Sequence, residues 1–160
     1  PDVYVFRLPL ADGTATVLSN RGQADKTIQL AEGRVTIAAK MTGLIAVDGR
    51  GKVTSLECTG RSMRDGKAIT SGTAHVMLHS LDGQDVRDSR HLMLLPITPG
   101  TFRIHTKADW KHPIVEIGQY SGSKWEPLKT ISLEVRSDTL TLELDDDAAR
   151  SILIVRQGPS

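Results

Sequence analysis

Apolar residues in this chain return at every second position rather than at every third or fourth. Val35 and Ile37 alternate with Arg34 and Thr36, Leu56 and Cys58 with Ser55 and Glu57, and Leu140, Leu142 and Leu144 with Thr141 and Glu143. That is the period of a strand with one face buried, not the 3.6-residue period of a helix. The same reading gives short strands at Val3–Leu8, Ala15–Leu18, Thr27–Leu30, Leu44–Val47, Thr101–His105, Ile114–Tyr120, Trp125–Ile131 and Ser132–Arg136. Asp12-Gly13, Glu32-Gly33, Asp48-Gly49, Asp65-Gly66 and Gly122-Ser123 stand between such runs as turn signals. Ile152–Val155 is apolar throughout, as expected of a strand buried on both faces. The segment 145–150 offers one helical turn, with Asp145 or Asp146 as cap and Ala148-Ala149 inside.

The longest apolar pair flanks a polar stretch. Val76, Met77, Leu78 and Leu81 precede Asp82-Gly83, and Leu92 to Leu95 follow QDVRDSR. This predicts two strands between Thr73 and Pro96 folded back at the Asp-Gly turn, with 84–90 a solvated bend. Many short strands and no amphipathic segment of helix length define an all-β protein, an antiparallel β-sandwich of jelly-roll or immunoglobulin-like type. Charged and polar residues alternating along the strands are expected to protect the sheet edges.

Length adds one constraint: 160 residues make a single domain with a substantial core, with residues 1–20 a candidate lead-in from a larger chain. The start at Pro1 rather than Met reads as a processed or excised piece. Twenty Lys and Arg against nineteen Asp and Glu give a net charge of +1, so no global field draws in nucleic acid or an anionic membrane, and neither is an expected partner. Cys58 is the only cysteine and cannot close an intrachain disulfide; its strand position makes it a small buried hydrophobe. No run of apolar residues is long enough to span a bilayer as a helix.

Candidate chemistry is sparse. His75 and His79 would sit about 13 Å apart along a strand, too far to share an ion, and His91, His105 and His112 fall in separate elements, so no metal is expected. Asp145-Asp146-Asp147 is the one candidate for a structural calcium, but it lacks the spaced acidic loop such sites use, and a helix cap explains it as well. Glu57, Glu116, Glu126, Glu134 and Glu143 supply carboxylates without any spacing that sets two across a cleft, so no catalytic residue is assigned and the chain is not expected to be an enzyme. The few aromatic residues are more informative. Trp110 lies in a loop between Asp109 and Lys111, with His112 next, and a flat ring flanked by hydrogen-bonding side chains suits the C–H face of a sugar. The alternative is that its indole plugs the edge of the sandwich or packs on a neighbouring domain. Tyr120 and Trp125 are the other candidate stacking rings, Trp125 also being a candidate for the core.

Ser80-Leu81-Asp82-Gly83-Gln84, Asp88-Ser89-Arg90 and the run Leu92–Leu95 resemble a phrase found in C-terminal β-sandwich domains of bacterial glycoside hydrolases. Val115-Glu116-Ile117-Gly118, Trp125-Glu126-Pro127-Leu128 and the closing LELDDDAARSILIV look like the same family, so the likeness covers roughly residues 35–156. The chain departs from it at Asp85, where proline is commoner. The resemblance implies a non-catalytic accessory module, carbohydrate-binding-module-like, in a secreted, periplasmic or cell-surface bacterial enzyme. Its expected partners are a polysaccharide or oligosaccharide and the catalytic domain of the parent chain. The rival expectations are a domain that only buttresses that catalytic part, and a small stand-alone glycan hydrolase.

Overall fold

The computed structural model describes residues 2–159. In chain order the strands are β1 (Val3–Leu10), β2 (Gly13–Asn20), β3 (Lys26–Gln29), β4 (Arg34–Ile37), β5 (Thr42–Val47), β6 (Val53–Thr59), β7 (Ser62–Arg64) and β8 (Lys67–Gly72). They continue with β9 (His75–Ser80), β10 (His91–Pro96), β11 (Gly100–His105), β12 (Pro113–Ser121), β13 (Lys124–Ser132), β14 (Val135–Arg136), β15 (Thr139–Leu144) and β16 (Ile152–Gln157). One 3-10 turn, Ala148–Arg150, precedes β16. All described pairings are antiparallel, in a nine-stranded sheet ordered β1-β2-β5-β6-β9-β10-β16-β12-β13 and a seven-stranded sheet ordered β14-β15-β11-β8-β7-β4-β3. The protein is thus an all-β sandwich, as the period-two pattern predicts, with larger sheets than a typical immunoglobulin or jelly-roll domain.

The inward residues of both sheets form one core. Leu18, Ile45, Leu56, Leu78, Leu94 and Leu153 come from the nine-stranded sheet, and Val35, Ile37, Ile69, Phe102, Ile104 and Leu140 from the other. Cys58 is in this core, and burial pushes its thiol up to about 11. β16 lies between β10 and β12, which explains its unbroken apolar run. At its approach, Asp145 Oδ1 accepts the Ala148 N–H at 2.8 Å, so the acidic run caps the 3-10 turn. Residues 3–20, read from sequence as a lead-in, form β1 and β2; β2 buries Thr16, Leu18 and Asn20 beside β5.

Four local expectations are corrected. β9 and β10 pair as predicted, but Asp82-Gly83 is no two-residue turn; the chain leaves β9 at Ser80 and rejoins the sheet only at His91. Nor is that segment solvated: Asp85, Val86, Arg87 and Ser89 are buried. They can be buried because they satisfy one another and the neighbouring backbone. Asp85 Oδ1 accepts from Arg87 N (3.0 Å) and Nε (2.9 Å), and its Oδ2 from Arg87 Nη2 (3.2 Å) and the Val53 N–H (3.0 Å). The bend expected near Thr130 is absent, since β13 runs unbroken to Ser132 and the break falls at Leu133-Glu134. Finally, the edges are not uniformly charged: Tyr4, Phe6, Leu8 and Leu10 of edge strand β1 are exposed.

Candidate functional site

The sequence candidates fall on two neighbouring features at the β12 and β13 end of the large sheet. Gly122-Ser123 forms the two-residue turn of a hairpin, with Gly122 at φ +64°, the conformation such a turn demands at its first central position. That turn fixes the register and sets Tyr120 directly across from Trp125. Their rings meet at 5.1 Å between centroids with planes inclined by 56°. Tyr120 is 44% exposed and Trp125 half-buried, so the pair presents apolar ring surface to solvent.

Alternation places Ile114 and Glu116 of β12 on the same outer face, opposite Ser132 and Thr130 of β13. Glu116 opposes Ile154 on β16, one step from Arg156, whose Nε donates to Glu116 Oε1 at 2.7 Å. This bond holds the Glu116 carboxyl below its usual value, outweighing burial, with Trp125 and His91 adding to the effect. The indole nitrogen of Trp125 is buried on this side, next to the Glu116 carboxyl whose pKa it helps to lower. A bulge between Ile117 and Gly118 lies between ion pair and rings; a Cβ at Gly118 would strike the Glu126 carbonyl oxygen at 2.2 Å. The strip from Ser132 to Trp125 is about 20 Å long at the rise of a strand.

Its far end opens into a cleft of about 870 Å³ walled by Trp110, Lys111, His112, Ser132, Glu134 and Arg136. Gln157 shapes that wall by accepting the Lys111 and His112 N–H groups, each at 3.2 Å, and donating to the Asp109 carbonyl at 3.0 Å. Asp109, Lys111 and His112 are exposed. Trp110 is not: it is 8% exposed, and its indole N–H donates to Thr106 Oγ1 at 2.9 Å. Thr106 Oγ1 in turn donates to the Arg87 carbonyl, so Trp110 is tied through Thr106 to the 81–90 segment and shows only a small part of its surface to the cleft. The six sequence candidates therefore divide, with Trp110, Lys111 and His112 at the cleft, Asp109 on its rim and Tyr120 with Trp125 at the hairpin tip.

Other polar groups share the outer face nearer the middle of the sheet. His75 is buried there, its Nε2 3.0 Å from Glu57 Oε2 and its Nδ1 2.7 Å from Thr59 Oγ1. Burial raises the Glu57 pKa, but hydrogen bonds from His75 and Thr42 more than offset this and hold it low. Ser55 and His79 share a hydrogen bond in the adjacent row. Glu134 pairs with Arg136, and Glu143 accepts from Thr101. Among the described residues no three His, Cys, Asp or Glu side chains come together to hold a metal ion, and Asp145, Asp146 and Asp147 are exposed. No helix of the described residues is long and apolar enough to cross a membrane.

Sequence reasoning did not single out Arg156 or the buried Asp85-Arg87 pair. Arg156 meets Glu116 only through the β12–β16 pairing, forty residues away in sequence. The Tyr120–Trp125 pairing does carry a local signal, the Gly-Ser turn flanked symmetrically by Ser121 and Lys124. No protein-family model, curated protein or solved structure matches the chain.

Proposed function

We propose that this β-sandwich is a non-catalytic accessory domain of a carbohydrate-active enzyme, secreted or periplasmic, that binds a polysaccharide or oligosaccharide along the outer face of the β12–β13 hairpin. The observation that carries the reading is the exposed Tyr120–Trp125 pair on the same face as the Glu116–Arg156 ion pair. A sugar ring offers an apolar C–H face bordered by hydroxyls, and this strip offers ring surface bordered by charged donors and acceptors. The Lys111 and His112 wall continues the polar border at the cleft, while Trp110 serves the scaffold. The resemblance to glycoside hydrolase accessory domains supports the same reading, and with it the catalytic domain of the parent chain as a partner.

The test is a titration of the full chain with soluble plant and algal polysaccharides, followed by tryptophan fluorescence and by retardation in polysaccharide-containing gels. Binding by at least one glycan, weakened roughly tenfold in Trp125→Ala and less in Tyr120→Ala, is the expected result. Gel retardation is needed because Trp125→Ala also removes the optical reporter. Absence of retardation across the panel, or retardation indifferent to both substitutions, refutes the proposal.

A further inference from the structure

The two edges of the nine-stranded sheet are built differently. β13 carries Lys124, Glu126, Pro127 and Lys129 and is distorted by the bulge opposite Gly118, the usual means of preventing an edge from pairing. β1 lacks most of this. Tyr4 (41%), Val5 (45%), Phe6 (56%), Leu8 (51%) and Leu10 (46%) are all exposed, and its only charge, Arg7, is ion-paired with Glu32 of the opposite sheet.

The direction of its free hydrogen-bonding groups follows from β2. Asn20 donates its N–H to the Met41 carbonyl at 2.9 Å, away from β1, whereas Arg21 donates to the Asp2 carbonyl at 2.8 Å. Val3, paired with Asn20, therefore turns its own N–H and C=O outward, and by alternation so do Val5, Arg7 and Pro9. Pro9 falls where its missing N–H costs nothing to the β1–β2 ladder. Among the described residues no strand accepts this edge.

We propose that the β1 edge pairs with the β1 edge of a second copy of this chain, antiparallel and centred on Val5. The segment Val3-Tyr4-Val5-Phe6-Arg7 is close to symmetric about Val5. A two-fold axis there sets Val5 against Val5, Tyr4 of each copy against Phe6 of the other, and Val3 against Arg7, so no like charges face each other. In this register Leu8 faces Asp2 and Leu10 lies beyond the overlap, so the exposed fractions of Tyr4, Val5 and Phe6 leave about 250 Å² of apolar surface per copy, beside the main-chain ladder made by the outward groups of Val3, Val5 and Arg7. The axis stands perpendicular to the sheet, so the outer faces of both copies look the same way and the two β12–β13 strips lie at opposite ends of one continuous surface.

The full chain is expected to sediment at twice its monomer mass over a micromolar to near-millimolar series. Val5→Pro removes an outward N–H without touching the β1–β2 ladder, and Phe6→Lys sets a charge against Tyr4 of the other copy; each should return the single-chain mass with an unchanged far-UV spectrum. Val5→Cys should oxidise to a covalent dimer, because facing residues in such a pair lie about 5.5 Å apart between Cα atoms, within disulfide reach. Val3→Cys should not, since its two positions are separated by roughly 13 Å along the strand. Cys58, fully buried, does not compete. A single-chain mass at every concentration, a dimer that survives both Val5→Pro and Phe6→Lys, or cross-linking by Val3→Cys in place of Val5→Cys overturns the proposal.

Discussion

Replacing Asp85 with alanine tests whether the 81–90 segment is held by one buried carboxylate. The side chain accepts four hydrogen bonds, three from Arg87 and one from the Val53 N–H at the start of β6. Its partner Arg87 is itself buried, and the Arg87 carbonyl receives Thr106 Oγ1 and the Lys107 N–H, so the pair links β6, the loop and the end of β11. Removing the carboxylate leaves a buried guanidinium without its counter-charge and a buried backbone N–H without an acceptor. Breaking a buried pair from one side costs about 3–5 kcal/mol, a large share of the roughly 5–15 kcal/mol that holds a domain of this size together. At a urea dependence of about 2 kcal/mol per molar, the unfolding midpoint should fall by roughly 2 M. Asp85→Ala combined with Arg87→Ala should be less destabilised than Asp85→Ala alone, because the unpaired charge is gone. A midpoint shift below about 0.5 M for the single variant, or strict additivity in the double, would refute the claim that the loop hangs on this pair.

The same carboxylate predicts a pH dependence. Burial raises the Asp85 pKa, but its bonds from Arg87 and Val53 outweigh that and leave it below the ordinary value of 3.8, so its stabilising effect is complete above that pH and lost as the pH falls through the lower folded value. The stability gap between wild type and Asp85→Asn, measured by urea unfolding, should therefore be constant from pH 7 to about 5 and close below about 4. The two tryptophans should separate cleanly. Trp110→Phe loses the bond to Thr106 and should cost about 1 kcal/mol of stability while leaving gel retardation by glycans unchanged. Trp125→Ala should lower glycan affinity roughly tenfold, the worth of one aromatic contact, while its effect on the unfolding midpoint stays small.

What the sequence reveals and what it hides follow from the range of each interaction. Strand identity is local: alternation in Val35–Ile37 and Leu140–Leu144, and the apolar run Ile152–Val155, depend only on which faces are covered. Errors arise where that rule has nothing to act on. β13 reads KWEPLKTIS and, as an edge strand carrying a proline and facing a bulge, has little alternation to show, so its continuity through Thr130 is invisible until β12 is laid beside it. The 84–90 segment misleads for the opposite reason. Polar composition normally means solvent, but an aspartate two residues before an arginine can close on it, and once closed the pair is buried like an apolar residue. Trp110 shows the same ambiguity from the other side: a loop tryptophan beside Asp109, Lys111 and His112 looks like a recognition residue until Thr106, four positions earlier, supplies the acceptor that lets the indole turn inward.

The candidate site divides along the same line. The Tyr120–Trp125 pair is written locally, because a two-residue turn leaves only one register for the residues beside it. The polar half is not, since Glu116 finds Arg156 only after β16 has entered the sheet between β10 and β12. That dependence makes β16 part of the candidate site as well as of the core. Its inward residues Leu153 and Val155 complete the core, while the same pleat turns Arg156 outward to the carboxylate beside the aromatic pair. A one-residue slip of β16 would turn Arg156 into the core and Leu153 and Val155 to the outer face, so the register that buries the last strand is the one that assembles the outer strip.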